Sequence, residues 1–236
     1  VSSKTFPSLK TERELLGSRV RYIIGIDEVG RGALAGPVAV GVALLDSWSS
    51  NFNLDDWPAA LADSKLMTAK SRGVTAPLVA EWVTAFQVGY ATAEEIDAQG
   101  IVSSLVLAAT RGLEQLMSEF RDPNSLVTDG TVVLLDGSHN WLAGHTGAFA
   151  VHHQPKADRD CVSVAAAALL AKVSRDAWMQ QLAAQHPRYG FEGHKGYGAA
   201  SHLAAIREFG PSTEHRTTWL SRILPDSSEL DFYNHG

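Results

Sequence analysis

Residues 22–37 run Tyr-Ile-Ile-Gly-Ile-Asp-Glu-Val-Gly-Arg-Gly-Ala-Leu-Ala-Gly-Pro, so Asp27 and Glu28 are adjacent carboxylates closing an apolar stretch. Two acids at the end of a strand otherwise suited to burial repel each other and lose hydration, unless a cation, a proton or basic partners compensate. The design returns at Val132-Val-Leu-Leu-Asp136-Gly137, and a further acidic segment, Lys156-Ala-Asp158-Arg-Asp160, stands just before a long alanine-rich stretch. Three or four carboxylates delivered by strand ends and a helix start, without cysteine ligands or histidines at paired helical spacing, form the donor set of a hard cation such as Mg²⁺ or Mn²⁺. One such ion normally takes one or two carboxylates plus substrate phosphate, so this number suits two. A two-ion site favours in-line attack of water on a phosphodiester. Gly30 and Gly32, bracketing Arg31, supply a segment whose main chain can come close to a ligand's oxygens.

Other readings compete. Gly30, Gly32 and Ala35 fit Gly-x-Gly-x-x-Ala, the opening of a dinucleotide-binding unit. That unit must run straight into a helix, whereas residues 37–45, Pro-Val-Ala-Val-Gly-Val-Ala-Leu-Leu, form a second β-type run after a Gly-Pro break. Asp27 and Glu28 taken alone also fit solvated acids at a strand end. Cys161, the single cysteine, lies beside the acids, but a nucleophile needs a positioned base and an electropositive setting, so a small buried helix residue is the expectation. His139, His145, His152 and His153 match no common zinc spacing and are expected to be surface or half-buried histidines.

These groups need a scaffold. Five strands are predicted near 22–28, 37–45, 85–91, 131–136 and 147–152. Thr92-Ala-Glu-Glu95 is a capping-box pattern for a helix that should stop near Gly100. Leu105, Ala108, Ala109, Leu113 and Leu116 place a helix over 103–120 against the sheet, and 162–185 forms the longest helix, ending ahead of Pro187. Three strands followed by alternating helices and strands imply an α/β protein, a mixed five-stranded sheet flanked by helices. If 158–176 were one continuous helix, Asp158 and Asp176 would lie about 27 Å apart, so they cannot share an ion. Asp176 is then expected to pair with Arg175 or Lys172. Spacing alone leaves Asp158 and Asp160 equal as ligands.

The chain has 236 residues, 45 % of them hydrophobic, which predicts one compact domain. No apolar run approaches the roughly 18–20 residues of a membrane span. No signal-peptide pattern opens the chain and one cysteine cannot close an internal disulfide, so a cytoplasmic setting is expected. A net charge of −6 looks wrong for a nucleic-acid partner, although acids in a metal site would have their local sign reversed. Lys4, Lys10, Arg13, Arg19 and Arg21 load the start, read as a solubilising arm, and Arg188, Lys195, Arg207, Arg216 and Arg222 load the end. A modest basic surface with salt-sensitive affinity follows.

The chain resembles bacterial type 2 ribonucleases H, the ribonuclease HII family. The matching segments, in order, include Gly25-Ile-Asp27-Glu28-Val-Gly30-Arg31-Gly32, Leu34-Ala-Gly36-Pro37-Val38, Asp63-Ser64-Lys65, Leu135-Asp136-Gly137 and Lys156-Ala-Asp158. They continue through Ala171-Lys172-Val173-Ser-Arg175-Asp176, Tyr189-Gly190-Phe191, His194-Lys195-Gly196-Tyr197-Gly198, His202, Gly210-Pro211 and His215-Arg216. The resemblance implies a ribonuclease H-like fold with a C-terminal helical extension over roughly 186–224, an N-terminal arm before residue 21 and a polar tail from 225. It implies that Asp27, Glu28, Asp136 and Asp158 hold two divalent ions, Mg²⁺ or Mn²⁺. It thereby selects Asp158, leaving Asp160 as a helix N-cap. The implied activity is endonucleolytic cleavage of RNA in RNA/DNA hybrids, and on the 5′ side of ribonucleotides embedded in duplex DNA, giving 5′-phosphate and 3′-hydroxyl ends, with roles in ribonucleotide excision and RNA primer removal.

By the same resemblance the main chain of Gly30, Arg31 and Gly32 meets the 2′-hydroxyl, while Tyr197 contacts the ribose and stacks beneath the following deoxyribose. Lys65 is expected to support a site carboxylate or bind phosphate, and His194 and Lys195 to contact phosphate. Ala33 stands where the family often has proline, which would loosen the turn, and Ala167-Ala168 replaces a more usual Ser-containing stretch. A monomer is expected, and the sequence leaves open recruitment by a sliding clamp through the tail. Rivals within the fold are ribonuclease HIII, disfavoured because only about 20 residues precede the first strand, and junction resolvases. A binding protein with a degenerate site is disfavoured by the presence of all four acids.

Overall fold

The computed structural model describes residues 6–17, 19–50 and 53–221. Five strands form one sheet in the order β3-β2-β1-β4-β5: β1 (Tyr22–Val29), β2 (Val38–Asp46), β3 (Ala85–Ala91), β4 (Thr131–Asp136) and β5 (Ala150–Gln154). β1 pairs antiparallel with β2, and β2 with β3, while β4 joins β1 in parallel and β5 joins β4 in parallel. The sheet is mixed, as the order of elements predicts. β5 begins at 150 instead of 147, because Phe149 turns back on Thr146 through its main chain and through the Thr146 hydroxyl.

Alternation along the buried strands sends neighbouring residues into two cores. Ile23, Leu45 and Leu134 meet α6 (Val162–Gln185) and α2 (Ala69–Trp82), whereas Ile24, Val42 and Leu135 meet α3 (Ala93–Glu119). α3 opens on the expected Thr92–Glu95 capping box, and its backbone leaves helical geometry at Gly100, φ +80°, before resuming.

The seat of α6 decides where the chemistry falls. A methyl group on Gly25 would sit 2.3 Å from the main chain of Ser163, and one on Gly41 2.2 Å from the Ala167 carbonyl oxygen. Glycines in the strands and alanines in the helix therefore let α6 lie directly on β1 and β2. That contact carries the segment before α6 to the ends of β1 and β4.

The helix is not continuous through that segment. α5 (Ala157–Asp160) ends at Cys161, whose extended backbone breaks it from α6, so the 27 Å spacing along one helix does not apply. Asp160 does not cap α6: Cys161 holds the N-cap position without a side-chain bond, and the Asp160 carboxylate pairs with Arg159. The cap comes from far away in sequence. Glu12, in α1 (Lys10–Leu15), is fully buried and accepts from both the amide and the hydroxyl of Ser163, each at 2.8 Å. With Leu9 also in the core and Ser8 bridged to Cys161, residues 8–16 are part of the packed structure and not a loose solubilising arm.

Beyond α6 come a 3-10 turn at Pro187–Tyr189, α7 (Phe191–His194), α8 (Ala200–Phe209) and α9 (Thr217–Leu220), with α4 (Pro123–Thr128) preceding β4. Among the described residues no helix is long and apolar enough to cross a membrane. Lys4, Arg222 and the tail from 225 lie outside the described residues.

Candidate active site

Asp27 and Asp136 stand one residue beyond the last paired positions of neighbouring parallel strands, Ile26 and Leu135. Asp27 shares the α6 side with Ile23, and Asp136 shares it with Leu134; Glu28 alternates to the other side. Asp158 arrives on α5, 6 % exposed. α5 also presents main-chain donors, as the Ala157 amide bonds the Asp136 carboxylate at 2.6 Å. Lys65 donates from Nζ to Asp158 at 2.7 Å, and Arg31 reaches Glu28 at 3.2 Å.

Asp27 is the exception. It is 3 % exposed and no hydrogen-bond donor reaches its carboxylate among the described residues. Burial pushes its pKa well above the ordinary carboxylate range, and the charges of Glu28, Asp158 and Asp136 add to this, against Lys65. Burial likewise raises Glu28, opposed by Arg31, and raises Asp136 with help from Asp158, opposed by the α5 amides. Burial works against the charge on the Lys65 ammonium, yet its bond to Asp158 and the charges of Asp27 and Asp63 raise its pKa on balance.

These carboxylates sense one another electrostatically without already closing on an ion: among the described residues no three His, Cys, Asp or Glu side chains are gathered as a ready cage. His139, His145, His152 and His153 are all exposed. The Cys161 thiol is fully buried and burial pushes it up to about 12, which removes the thiolate a nucleophile requires.

Asp27, Glu28, Gly30, Arg31, Gly32, Lys65 and Tyr197 line one cavity of about 390 Å³. A second, of about 680 Å³, is lined by His194, Lys195, Glu192 and Asp176, and the two share Arg72, Lys172 and Tyr197. Of the sequence-derived positions, His194 has both ring nitrogens engaged, by the Tyr189 carbonyl and the Gly196 amide, which leaves none for a phosphate. Lys195 turns its ammonium to the Glu192 carbonyl. The turn after Gly32 is not loosened by Ala33, whose amide donates to the Gly30 carbonyl at 3.2 Å, a bond proline lacks the N–H to make.

Asp176 pairs with Lys172, as expected, and with Arg72 at 3.6 Å. Arg175 does not join them. It is fully buried and donates to the carbonyls of Pro37, Ala35 and Lys195, with its guanidinium 5.6 Å from the Tyr197 ring. Arg216, also fully buried, donates to the carbonyls of Gly30, Arg31 and Gly36, so it belongs to no basic surface. The sequence offers Arg175 as an alternative partner for Asp176 and places Arg216 in a modest basic surface, neither of which the fold bears out, and it gives no signal for Arg72.

A mixed sheet of this order, with acids at the ends of the neighbouring parallel strands β1 and β4, has the layout of a ribonuclease H-like fold. The crystal structure of ribonuclease H2 from Pyrococcus horikoshii OT3 superposes with a TM-score of 0.64 over 86 % of this chain and 96 % of that one at 22 % identity, which establishes the α/β fold class. The ribonuclease HII profile matches residues 24–222. Ribonuclease HII of Streptomyces avermitilis is 40 % identical over 214 residues, covering 90 % of this chain and 83 % of its own, and that of Synechococcus sp. (strain CC9902) is 38 % identical over 88 % of this chain and 95 % of its own. The chain belongs to the ribonuclease HII family, and is a hydrolase with endoribonuclease activity on RNA/DNA hybrids.

Proposed function

We propose that Asp27, Glu28, Asp136 and Asp158 hold divalent cations, two Mg²⁺ or Mn²⁺, and that the enzyme cuts on the 5′ side of a ribonucleotide, in a hybrid or embedded singly in duplex DNA. The observation that carries this is Asp27. A buried carboxylate without a donor, beside three more acids, is a donor set that fits a hard cation and is costly without one. Such ions, when bound, lower the pKa of a water nucleophile and offset charge on the leaving 3′ oxygen.

The chain's own residues do the rest. Asp136 is oriented by the Ala157 amide, and Lys65 holds Asp158 in place. Gly30 has a structural reason to be glycine: φ is +82° and a methyl group would strike the Arg175 side chain at 2.0 Å. Gly32 has none, since a methyl group there meets nothing within 4 Å and its φ is not positive. Its smallness serves a ligand, and a main chain pressed against the ribose is how a 2′-hydroxyl is distinguished from hydrogen. Tyr197, 37 % exposed on the same cavity, offers its ring to the next sugar.

The deciding experiment is cleavage of a labelled DNA duplex carrying one ribonucleotide, with Mg²⁺, with Mn²⁺ and with EDTA, by wild type and Asp136→Asn. Metal-dependent cutting 5′ to the ribonucleotide, lost in the variant, is expected. Cutting that survives EDTA or the substitution overturns the carboxylate site.

A further inference from the structure

Three histidines lie under the segment that carries Tyr197. His202 and His215 are 0 % and 1 % exposed, and His194 stacks on His202 with ring centroids 4.2 Å apart. Their main-chain partners fix every proton. The Ser212 amide donates to His215 Nδ1 at 2.9 Å, so that nitrogen is an acceptor and His215 carries its proton on Nε2. His202 Nδ1 lies 2.9 Å from the Tyr197 carbonyl oxygen, which only accepts, so Nδ1 carries the proton and Nε2 is bare. The 3.1 Å contact between the two Nε2 atoms is then a hydrogen bond from His215 to His202. By the same logic His194 is protonated on Nε2, giving to Tyr189 and receiving from Gly196.

The chain of bonds therefore has one direction: Ser212 amide, His215, His202, Tyr197 carbonyl. Both ends belong to elements that touch the cavity. The residue after His215 is Arg216, which grips the carbonyls of Gly30 and Arg31, and His215 itself bridges Ala35. At the other end, three successive carbonyls before α8 are held: Lys195 by Arg175, Gly196 by the amides of Leu34 and Ala35, and Tyr197 by His202 together with the Ala199 amide at 2.8 Å. Burial lowers both histidines, His215 to about 4 with His202, His186 and His194 adding to the effect, so both rings are neutral at neutral pH and a second proton on either would set donor against donor.

We propose that His202 and His215 are positioning residues, a one-way hydrogen-bond relay that fixes Tyr197 relative to the Gly30–Gly32 turn and so sets how a lone ribonucleotide is read. This rests on the reading of Tyr197 given under Proposed function. Neither ring touches substrate; they act through the Tyr197 main chain.

Two measurements test it. Long-range ¹H–¹⁵N correlation spectra of the histidine-labelled protein at neutral pH should show His202 protonated on Nδ1 and His194 and His215 on Nε2. His202 protonated on Nε2, or either buried ring charged, overturns the relay whatever the activities are. In the second, His202→Ala and Tyr197→Ala should each lower kcat/KM on the single-ribonucleotide duplex by about tenfold or more while costing less than about threefold on a long hybrid. The double variant should be no worse than Tyr197→Ala, the non-additivity of residues acting as one unit. His202→Asn, whose amide can still donate to the Tyr197 carbonyl, should recover the loss to within about threefold, and it stands in if the alanine variant does not fold. Equal losses on both substrates in His202→Ala, with Tyr197→Ala selective, overturn the relay alone; equal losses in Tyr197→Ala overturn the reading beneath it as well.

Discussion

At the scale of single residues, two positions separate folding from chemistry. Gly32→Ala meets open space, so its stability should stay within about 0.5 kcal/mol of wild type, as for surface changes away from special geometry. Its kcat/KM on a single ribonucleotide should nonetheless fall by about tenfold or more, because the added methyl occupies the place of the ribose. Thermal unfolding beside cleavage kinetics checks both halves, and an active Gly32→Ala removes the main-chain contact from the mechanism. Asp27 runs the other way. Its pKa is raised in the fold, so the native state binds that proton more tightly than the unfolded chain, and metal-free stability drains away as pH rises from the ordinary carboxylate range through the folded value. Asp27→Asn should therefore gain ~0.5–2 kcal/mol at neutral pH in EDTA while abolishing turnover, as substitutions at strained functional groups do. Scanning calorimetry in EDTA, where a destabilised variant would contradict this, is the check. The placement of the acids and of the Gly-Arg-Gly turn at element ends was legible in the sequence because an apolar run closing in acid or glycine is local to a short stretch. Arg175 and Arg216 were not, since their partners are main-chain carbonyls up to 186 residues away, and a carbonyl carries no residue type to read.

At the scale of elements, the N-terminal helix is the part the sequence concealed. Six residues of charged and apolar character give too short a period to announce a buried face, and Glu12 reads as one more surface acid. Only the fold shows that Cys161 leaves α6 without a side-chain cap and that Glu12 supplies it. Glu12→Ala should accordingly cost about 2–3 kcal/mol, since the buried Ser163 amide and hydroxyl both lose their acceptor. Glu12→Gln should cost much less: burial raises the Glu12 pKa, its Oε2 has no hydrogen-bond partner among the described residues, and the amide keeps the oxygen that Ser163 uses. Urea unfolding of both variants measures the difference, and equal losses would mean that the charge, not the acceptor, matters. The strands were legible because alternation and apolar runs report them directly. The start of β5 and the break at Cys161 were not, because a turn closed by Thr146 and a helix cap supplied from α1 are decided by tertiary partners.

At the scale of the whole molecule, the charges explain how a protein of net −6 meets a polyanion. The cations that line the groove beside Tyr197 are engaged within the protein: Arg31 by Glu28, Lys65 by Asp158, Arg72 and Lys172 by Asp176, and Lys195 by the Glu192 carbonyl. Arg175 and Arg216 are sealed inside against carbonyls. The groove beside Tyr197 thus presents few phosphate-free cations, and its acids repel the backbone until an ion reverses their sign. Each neutralised phosphate contributes a slope of about −0.9 to log K against log[salt], so a groove with few available cations should give a slope no steeper than about −3. Fluorescence anisotropy of a ribonucleotide-containing duplex with Asp136→Asn, titrated from low to high NaCl, measures that slope directly. Adding Mg²⁺ or Mn²⁺ to wild type on a duplex with an uncleavable junction should tighten binding, because the ion supplies the positive charge that the surface withholds. A slope near −8 with no metal effect would place the affinity in side-chain cations after all, and would require the ion pairs with Asp176 and Asp158 to open when the duplex binds.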